Sequence, residues 1–296
     1  MSRAQPDAPS ARPGRALALL LAGLLLAACA GTGTSGPADA PPEAPDAAAP
    51  DPVDPGTVVL QVALVGGYTS VEELRGRLPS VTVYADGRVL APGPVAAVHP
   101  PFAWPGLTVT RLDPDRLPDL VDRALAAGVG EDGGLGETGV IDGPSTRFTV
   151  RTDGGTVVRE VDALQEGLGS PVLSDRQRAD RQRLAALAEE LTGLADPAES
   201  WTPSAVAVLA HPYAEGRIGL GGLPIDAPEV AWAGPGLPGE PLDAGLGCLV
   251  VPAGPVQDAA SGASTATPWT TPDGTRWSLT FRPLLPHETG CADLAG

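Results

Sequence analysis

Three cysteines and three histidines are the residues of this 296-residue chain with the widest chemical reach. His99, His211 and His287 lie far apart, each beside a proline. No pair has the i, i+4 or short-loop spacing that brings imidazoles onto one metal, and neither HExxH nor CxxC occurs, so no metal or other cofactor is expected. All nineteen basic residues are arginine. Without lysine there is no phosphate-loop lysine, no Schiff base and no Ser-Lys dyad. No GxSxG elbow is present, so a hydrolytic triad would have to assemble from dispersed Ser, Asp and His residues. The stretch Gly128 to Gly139 lacks the glycine spacing of a phosphate loop, and Glu131, Asp132 and Glu137 within it would repel phosphate. Asp132, Glu137 and Asp142 offer oxygen ligands of the kind calcium takes, but not at EF-hand spacing, and they read as loop residues. Arg176, Arg178, Arg181 and Arg183 make the one basic cluster. A solvated helix face is expected there, with Arg176 and Asp180 paired at i, i+4. Trp201, Trp232, Trp269 and Trp277 could line a groove or fill a core; the hairpin between the last two favours core packing.

The remaining chemistry belongs to the cysteines. Arg3, Arg12 and Arg15 precede an uncharged Leu- and Ala-rich run, Ala16 to Ala28. As a helix this run covers roughly 20 Å, short of the roughly 30 Å of bilayer hydrocarbon, and it has the length of a signal-peptide core. Its end, Leu26-Ala27-Ala28-Cys29, resembles the lipobox of bacterial lipoproteins. The resemblance implies cleavage before Cys29, a diacylglycerol on its sulfur, and attachment to the outer face of the cell membrane. Each buried CH2 contributes about 0.8 kcal/mol, so two or more chains anchor stably. Lipidation of Cys29 leaves Cys248 and Cys291, an even number outside the cytosol, which predicts a disulfide pinning the C-terminal tail to the hairpin around Trp277.

Composition narrows the partners. The formal charge is −17, and removing residues 1–28, with three Arg and one Asp, leaves −19. Such acidity argues against nucleic acid and against an electrostatic hold on anionic lipid. Lys and Asn are absent and Phe, Tyr and Ile scarce, the signature of a GC-rich genome. From Ala30 to Gly56 the chain is Ala, Pro, Gly and Asp without period, a segment expected to be a disordered tether. Residues 57–296 are long enough for one large domain, or for two subdomains divided near 196–203.

The elements that must position any site follow from pattern. Thr57 to Val65 reads as a buried strand ending at Gly66-Gly67, and Ser70 with Glu73 as a capping box opening a turn through Leu74. Val81 to Tyr84 and Arg88 to Leu90 flank Asp86-Gly87 as a hairpin whose central residues call for positive φ. Leu107 to Leu112 alternates as a strand. A helix follows, capped by Asp115, with Leu117, Leu120, Val121, Ala124 and Leu125 on one face and Gly128 as its stop. Thr146 to Arg151 and Thr156 to Val161 flank Asp153-Gly154-Gly155 as a second hairpin. Ser174 and Gln177 cap a second helix with Leu184, Leu187, Ala188 and Leu191 on its apolar face. A third hairpin runs from Trp269 to Phe281 through Asp273-Gly274, and Gly216 to Gly247 reads as loop with one short strand at Glu229 to Trp232. The recurrence of strand-Asp-Gly-strand fits either a duplication or the local preference of hairpin turns. The class is α+β: a mostly antiparallel sheet built from Asp-Gly hairpins, with two amphipathic helices.

Gly66-Gly67-Tyr68, the run VTVYADGRV from Val81 to Val89, and Arg282-Pro283-Leu284-Leu285-Pro286 followed by Cys291 resemble a family of actinobacterial membrane lipoproteins without an assigned activity. The likeness spans Thr57 to Cys291 and implies no catalytic residue. The strand-hairpin-helix unit after a Gly-Gly-aromatic is also similar to small proteinaceous metalloprotease inhibitors, by supersecondary structure alone. The expected function is a non-catalytic binding or scaffolding module of the envelope, meeting a protein or glycan. A protease-inhibitor-like module is the alternative, and a hydrolase the third.

Overall fold

The apolar run Val58–Val65 forms β1, on which the first sheet is built. The structure is a computed structural model that describes residues 54–196, 198–216, 227–243 and 245–294. Six further strands join β1: β2 (Val81–Tyr84), β3 (Arg88–Pro92), β4 (Leu107–Arg111), β5 (Ser145–Thr152), β6 (Gly155–Asp162) and β7 (Glu199–Trp201). Their order is β6-β5-β1-β2-β3-β4-β7, antiparallel throughout. Three helices accompany this sheet in the chain: α1 (Val71–Gly76), α2 (Leu117–Ala126) and α3 (Asp175–Gly193). Leu120 and Ala124 of α2 and Leu184, Leu187, Ala188 and Leu191 of α3 bury their side chains against Leu60, Val62, Phe148, Val150 and Val161. These are the apolar stripes expected from helical spacing, and they close one face of the sheet.

The second sheet comprises β8 (Ala205–Pro212), β9 (Val230–Ala231), β10 (Glu240–Asp243), β11 (Leu246–Pro252), β12 (Trp269–Thr270) and β13 (Arg276–Pro283), with α4 (Ala253–Ser261). Its order is β10-β11-β8-β13-β12-β9, and only β9 and β12 run parallel. On one face Trp269, Trp232 and Phe281 pack with Val208, Val251 and Val256. Trp269 meets Trp232 and Phe281 edge-on, at ring distances of 6.1 and 5.3 Å. Core packing is therefore the role of Trp232 and Trp269. Both sheets belong to one compact unit, Asp51–Gly296, and the chain passes from the first to the second between Trp201 and Ala205.

The α+β class and its antiparallel hairpins are as expected, and several local readings need correction. The Asp-Gly turns place positive φ on Gly87 (82°), Gly155 (119°) and Gly274 (83°) but not on the aspartates. The aspartates act through their carboxylates. Asp86 Oδ1 accepts the Arg88 N–H and Asp273 Oδ1 the Thr275 N–H, each at 3.1 Å, so the side chain rather than an unusual backbone shapes the turn. Ser70 caps α1 as expected, but Glu73 takes the Thr69 hydroxyl instead of completing the box, and the helix continues to Gly76. Asp113, not Asp115, is the cap after β4: it accepts the Asp115 N–H and opens a 3-10 turn, Pro114–Arg116, that leads into α2. In α3 both halves of the Ser174–Gln177 box are present. The expected loop from Gly216 to Gly247 holds β9, β10 and the start of β11, while 217–226 and Ala244 lie outside the described residues.

Gly87 carries two demands at once. Its φ is 82°, and a Cβ there would lie 2.2 Å from the Leu112 carbonyl oxygen, the backbone that follows β4. Gly274 has the same φ with open space around it. Gly87→Ala should therefore destabilise by about 2 kcal/mol or more, and Gly274→Ala by about 1 kcal/mol, the strain of the backbone alone. Urea unfolding of the two variants checks this; equal losses would show that Leu112 yields without cost.

Candidate functional site

The polar groups that come together do so at the C-terminal segment, where the sheets meet. Arg282 and Glu288 form a two-pronged ion pair at 2.7 and 3.0 Å, with side chains only 3% and 8% exposed. Glu288 also accepts the Leu285 N–H at 2.7 Å, and Arg282 Nε donates to the Arg77 carbonyl at 3.3 Å. The Tyr84 side chain is fully buried, and its hydroxyl shares a hydrogen bond with His287 Nδ1 at 2.9 Å. Burial, with the Glu288 charge nearby, keeps the phenol protonated well above its ordinary range. The His287 ring has an exposed face but packs against Tyr84, and burial of that side pulls its pKa below the usual value, reinforced by Arg282 and opposed by Glu288 and Asp293. Asp293 accepts the N–H groups of Thr289 and Gly290, which hold its carboxyl below the ordinary range.

Cys248 and Cys291 stand at disulfide-bond distance, 2.01 Å between sulfurs. Their neighbours differ from expectation. They sit with Ala207, Leu209, Leu246, Leu284 and Leu294, whereas Trp277 belongs to the opposite face of the second sheet. The tail also has more to hold it than the two thiols, since Glu288, His287, Asp293 and buried Leu294 each fix part of it. Cys29 lies outside the described residues.

The other sequence candidates separate. His99 is exposed, and His211 on β8 faces Glu72 of α1 at 3.7 Å. Among the described residues no hydrogen bond joins a histidine to a Ser, Thr or Cys side chain, although His211 lies opposite Ser278 in the β8–β13 register, and no three His, Cys, Asp or Glu side chains gather as metal ligands. The arginine cluster is not a uniform solvated face. Arg176 and Arg183 meet Asp180 at 3.7 and 3.0 Å on the surface. Arg181, however, is 1% exposed and donates to the Asp162 carbonyl, while Arg178 donates to the carbonyls of Leu168, Ser170 and Leu173. Those two arginines fasten the loop before α3. Likewise Arg159 clamps the carbonyls of Gly128, Glu131 and Gly133, fixing the glycine-rich loop from within.

The candidate contact surface lies at the far end of β1. Two loops meet there, Gly66–Thr69 after β1 and Gly139–Pro144 before β5, joined by the Tyr68 N–H donating to the Asp142 carbonyl at 3.0 Å. Gly66, Gly67, Gly139 and Asp142 have φ of 64°, 86°, 74° and 63°, and a Cβ on Gly67 would come within 3.2 Å of Pro144. A non-glycine residue in the left-handed region persists only where its surroundings hold it, and such positions gather at functional sites. What the loops present is apolar: Tyr68 is 88% exposed and Ile141 84%. Beneath them a cleft of about 500 Å³ opens between the β1 end and α1, lined by Leu64, Leu78, Arg75, Arg77, Arg147 and Asp293 among others. Arg77 Nη1 donates to the Gly66 carbonyl at 3.0 Å, tying the cleft wall to the loop. The loop pair was missed as a site in the sequence, although Gly66-Gly67-Tyr68 is its legible half; nothing in the sequence marks Ile141 as its neighbour.

No protein-family model, curated protein or solved structure matches the chain.

The Tyr84–His287 bond has a pH signature. Because the folded-state pKa of His287 is depressed, its contribution to stability is complete above about pH 6.5 and is lost as pH falls through the lower folded value. The stability difference between the protein and His287→Gln, measured by urea unfolding at pH 7.5 and stepwise down to 4.5, should shrink toward acid. A difference independent of pH would remove His287 from the acid response.

Proposed function

We propose that the protein is a lipid-anchored, extracytoplasmic binding module of the cell envelope, and that the Tyr68–Ile141 loop pair is its contact surface. The observation that carries this reading is the pair itself. Two large apolar side chains are held almost fully in solvent by hydrogen-bonded loops with four left-handed positions. Exposed apolar side chains on a fixed backbone cost solubility and give a partner contact area at little loss of entropy, with Tyr the side chain most favoured at energetic centres of interfaces. The lipobox-like Leu26-Ala27-Ala28-Cys29 supports the anchor, and among the described residues no helix is long and apolar enough to cross a membrane. The hydrolase reading has less support, since His211 and His287 meet a carboxylate, a carbonyl and a phenol, and no hydrogen bond joins a histidine to Ser, Thr or Cys among the described residues. The inhibitor reading is weakened by the turn at Gly66-Gly67, which bends the loop away from the extended form that pairs with a sheet edge.

Two measurements test the proposal. Cys29→Ala should move the protein from the membrane fraction to the soluble one, and retention of the mutant would refute the lipid anchor. A photo-crosslinking residue at position 68 should give a discrete adduct in intact cells that the same residue at position 95, also on an exposed loop, does not give. The absence of any adduct specific to position 68 would count against the contact surface.

A further inference from the structure

The loop pair and the cleft below it are continuous, since Leu64, Val65 and Gly66 line the cleft and lead directly to Tyr68. Tyr68 and Ile141 protrude rather than recede. A small ligand would be enclosed by a pocket, whereas protruding side chains at a cleft mouth suit a macromolecule with depressions of its own. The charges differ in kind from the rest of this acidic chain, because Arg75, Arg77, Arg147 and Arg282 all reach the cleft. Arg282 is committed to Glu288, and Arg75 meets Asp243 at 2.9 Å. Arg147 pairs with Glu160 at 2.6 Å, but both side chains are more than a third exposed, so exchanging one carboxylate for another costs little. Arg77 makes no ion pair among the described residues; its contact is the neutral Gly66 carbonyl. Of the acids in the lining, Glu160 is held by Arg147, and Asp293 accepts backbone N–H groups. The guanidinium in the lining without a carboxylate partner is thus that of Arg77, on the α1 side, with that of Arg147 on β5 ready to exchange its partner. Guanidinium forks bind carboxylates in two-pronged geometry. The long-range repulsion from the net charge, −19 once residues 1–28 are removed, is screened over about 8 Å at physiological salt.

The place of the cleft also separates a polypeptide from a lipid surface. Before β1, the Pro55 and Thr57 carbonyls accept from Arg88 and Ala85, and the eight residues of β1 carry the chain roughly 25 Å from there to the opposite end, where Tyr68 lies.

We propose that the cleft seats an acidic segment of a partner polypeptide, with Tyr68 and Ile141 packing on its apolar side chains and Arg77 and Arg147 taking its carboxylates. This rests on the contact-surface reading above. The test uses the mature chain with Cys29→Ser, disulfide intact, and a phage-displayed library of random twelve-residue peptides. Enriched peptides should combine Asp or Glu with Leu, Ile, Phe or Trp. The affinity of a synthetic copy should fall at least tenfold with Arg77→Glu, less with Arg77→Lys, and at least tenfold with Tyr68→Ala. Arg147→Glu serves as the second variant, should Arg77→Glu disturb the Gly66 loop. Enrichment of basic or uncharged peptides, no enrichment, indifference to these substitutions, or binding to phosphatidylglycerol vesicles in place of peptides would each overturn it. A position-68 crosslink that persists after any of those results would leave the contact surface standing and remove only the acidic segment.

Discussion

The ion pair between Arg282 and Glu288 is the constraint around which the two sheets are joined. Both charges are buried, and a buried pair is tolerated only when each remaining donor and acceptor is satisfied. Here they are shared out across the junction. Arg282 belongs to β13 of the second sheet and donates to Arg77, which follows α1 in the first half of the chain. Glu288 receives the Leu285 N–H and so fixes the turn that puts Leu285 against Tyr84, Leu90 and Leu107 of the first sheet. Removing either partner would strand the other without water, a cost of about 3 to 5 kcal/mol. Replacing both by apolar side chains would leave the carbonyl and N–H groups they serve without partners. The pair therefore does more for position than for net stability.

The same segment explains why the halves are not independent. The helix α1 leaves the first sheet and lies against β8 and β13, where Val71 joins the apolar group that includes Leu209 and Leu284. In return the tail after β13 covers the middle of the first sheet through Leu285 and His287. Each sheet thus has one face closed by its own helices; the other face of the first is covered by Leu285 and His287, and that of the second by α1 together with Cys291 and Leu294 of its own tail. At the β5–β6 side this second cover ends, and Arg147 and Glu160 stand at the edge of what remains open. The cleft is the uncovered part of a sheet face whose centre is occupied by the tail.

How far the sequence carried is best seen element by element. The three Asp-Gly hairpins and both amphipathic helices were legible because turn chemistry and a 3.6-residue period are local. Strand β8 was not, since Val206 to Ala210 is buried on both faces and so shows no alternation. Helix α4 begins directly after β11 at Ala253 without a side-chain cap, which removes the usual start signal. The cysteine pair could be reasoned from count and compartment, but its surroundings could not, because they depend on which face of β11 Cys248 occupies. Arg181 misled because its charge groups it with the surface arginines, whereas helical spacing from Leu184 and Ala188 puts it on the buried face of α3, where the Asp162 carbonyl takes its guanidinium. Of the contact surface, the glycines before Tyr68 were visible, while Ile141 reaches it only through the pairing of β1 with β5.

That pairing has a consequence for how the surface keeps its shape. In the β1–β5 register Val65 lies opposite Ser145, so the two strands end together and their following and preceding loops emerge side by side. A slip of one residue would reverse the facing of Phe148 and Val150, which are buried against the helices, so the register is fixed by the core rather than by the loops. The loops then have few ways to close. Gly66 and Gly67 allow the chain to turn back at once, Pro144 limits the approach from the other side, and the Tyr68–Asp142 hydrogen bond locks the two together. The strain held at Asp142 is small beside the packing that enforces it, since left-handed backbone in one such residue costs about 1 to 3 kcal/mol and the core buries several large side chains. Rigidity at Tyr68 and Ile141 is thus inherited from a register set by Phe148 and Val150, side chains that never reach the surface themselves.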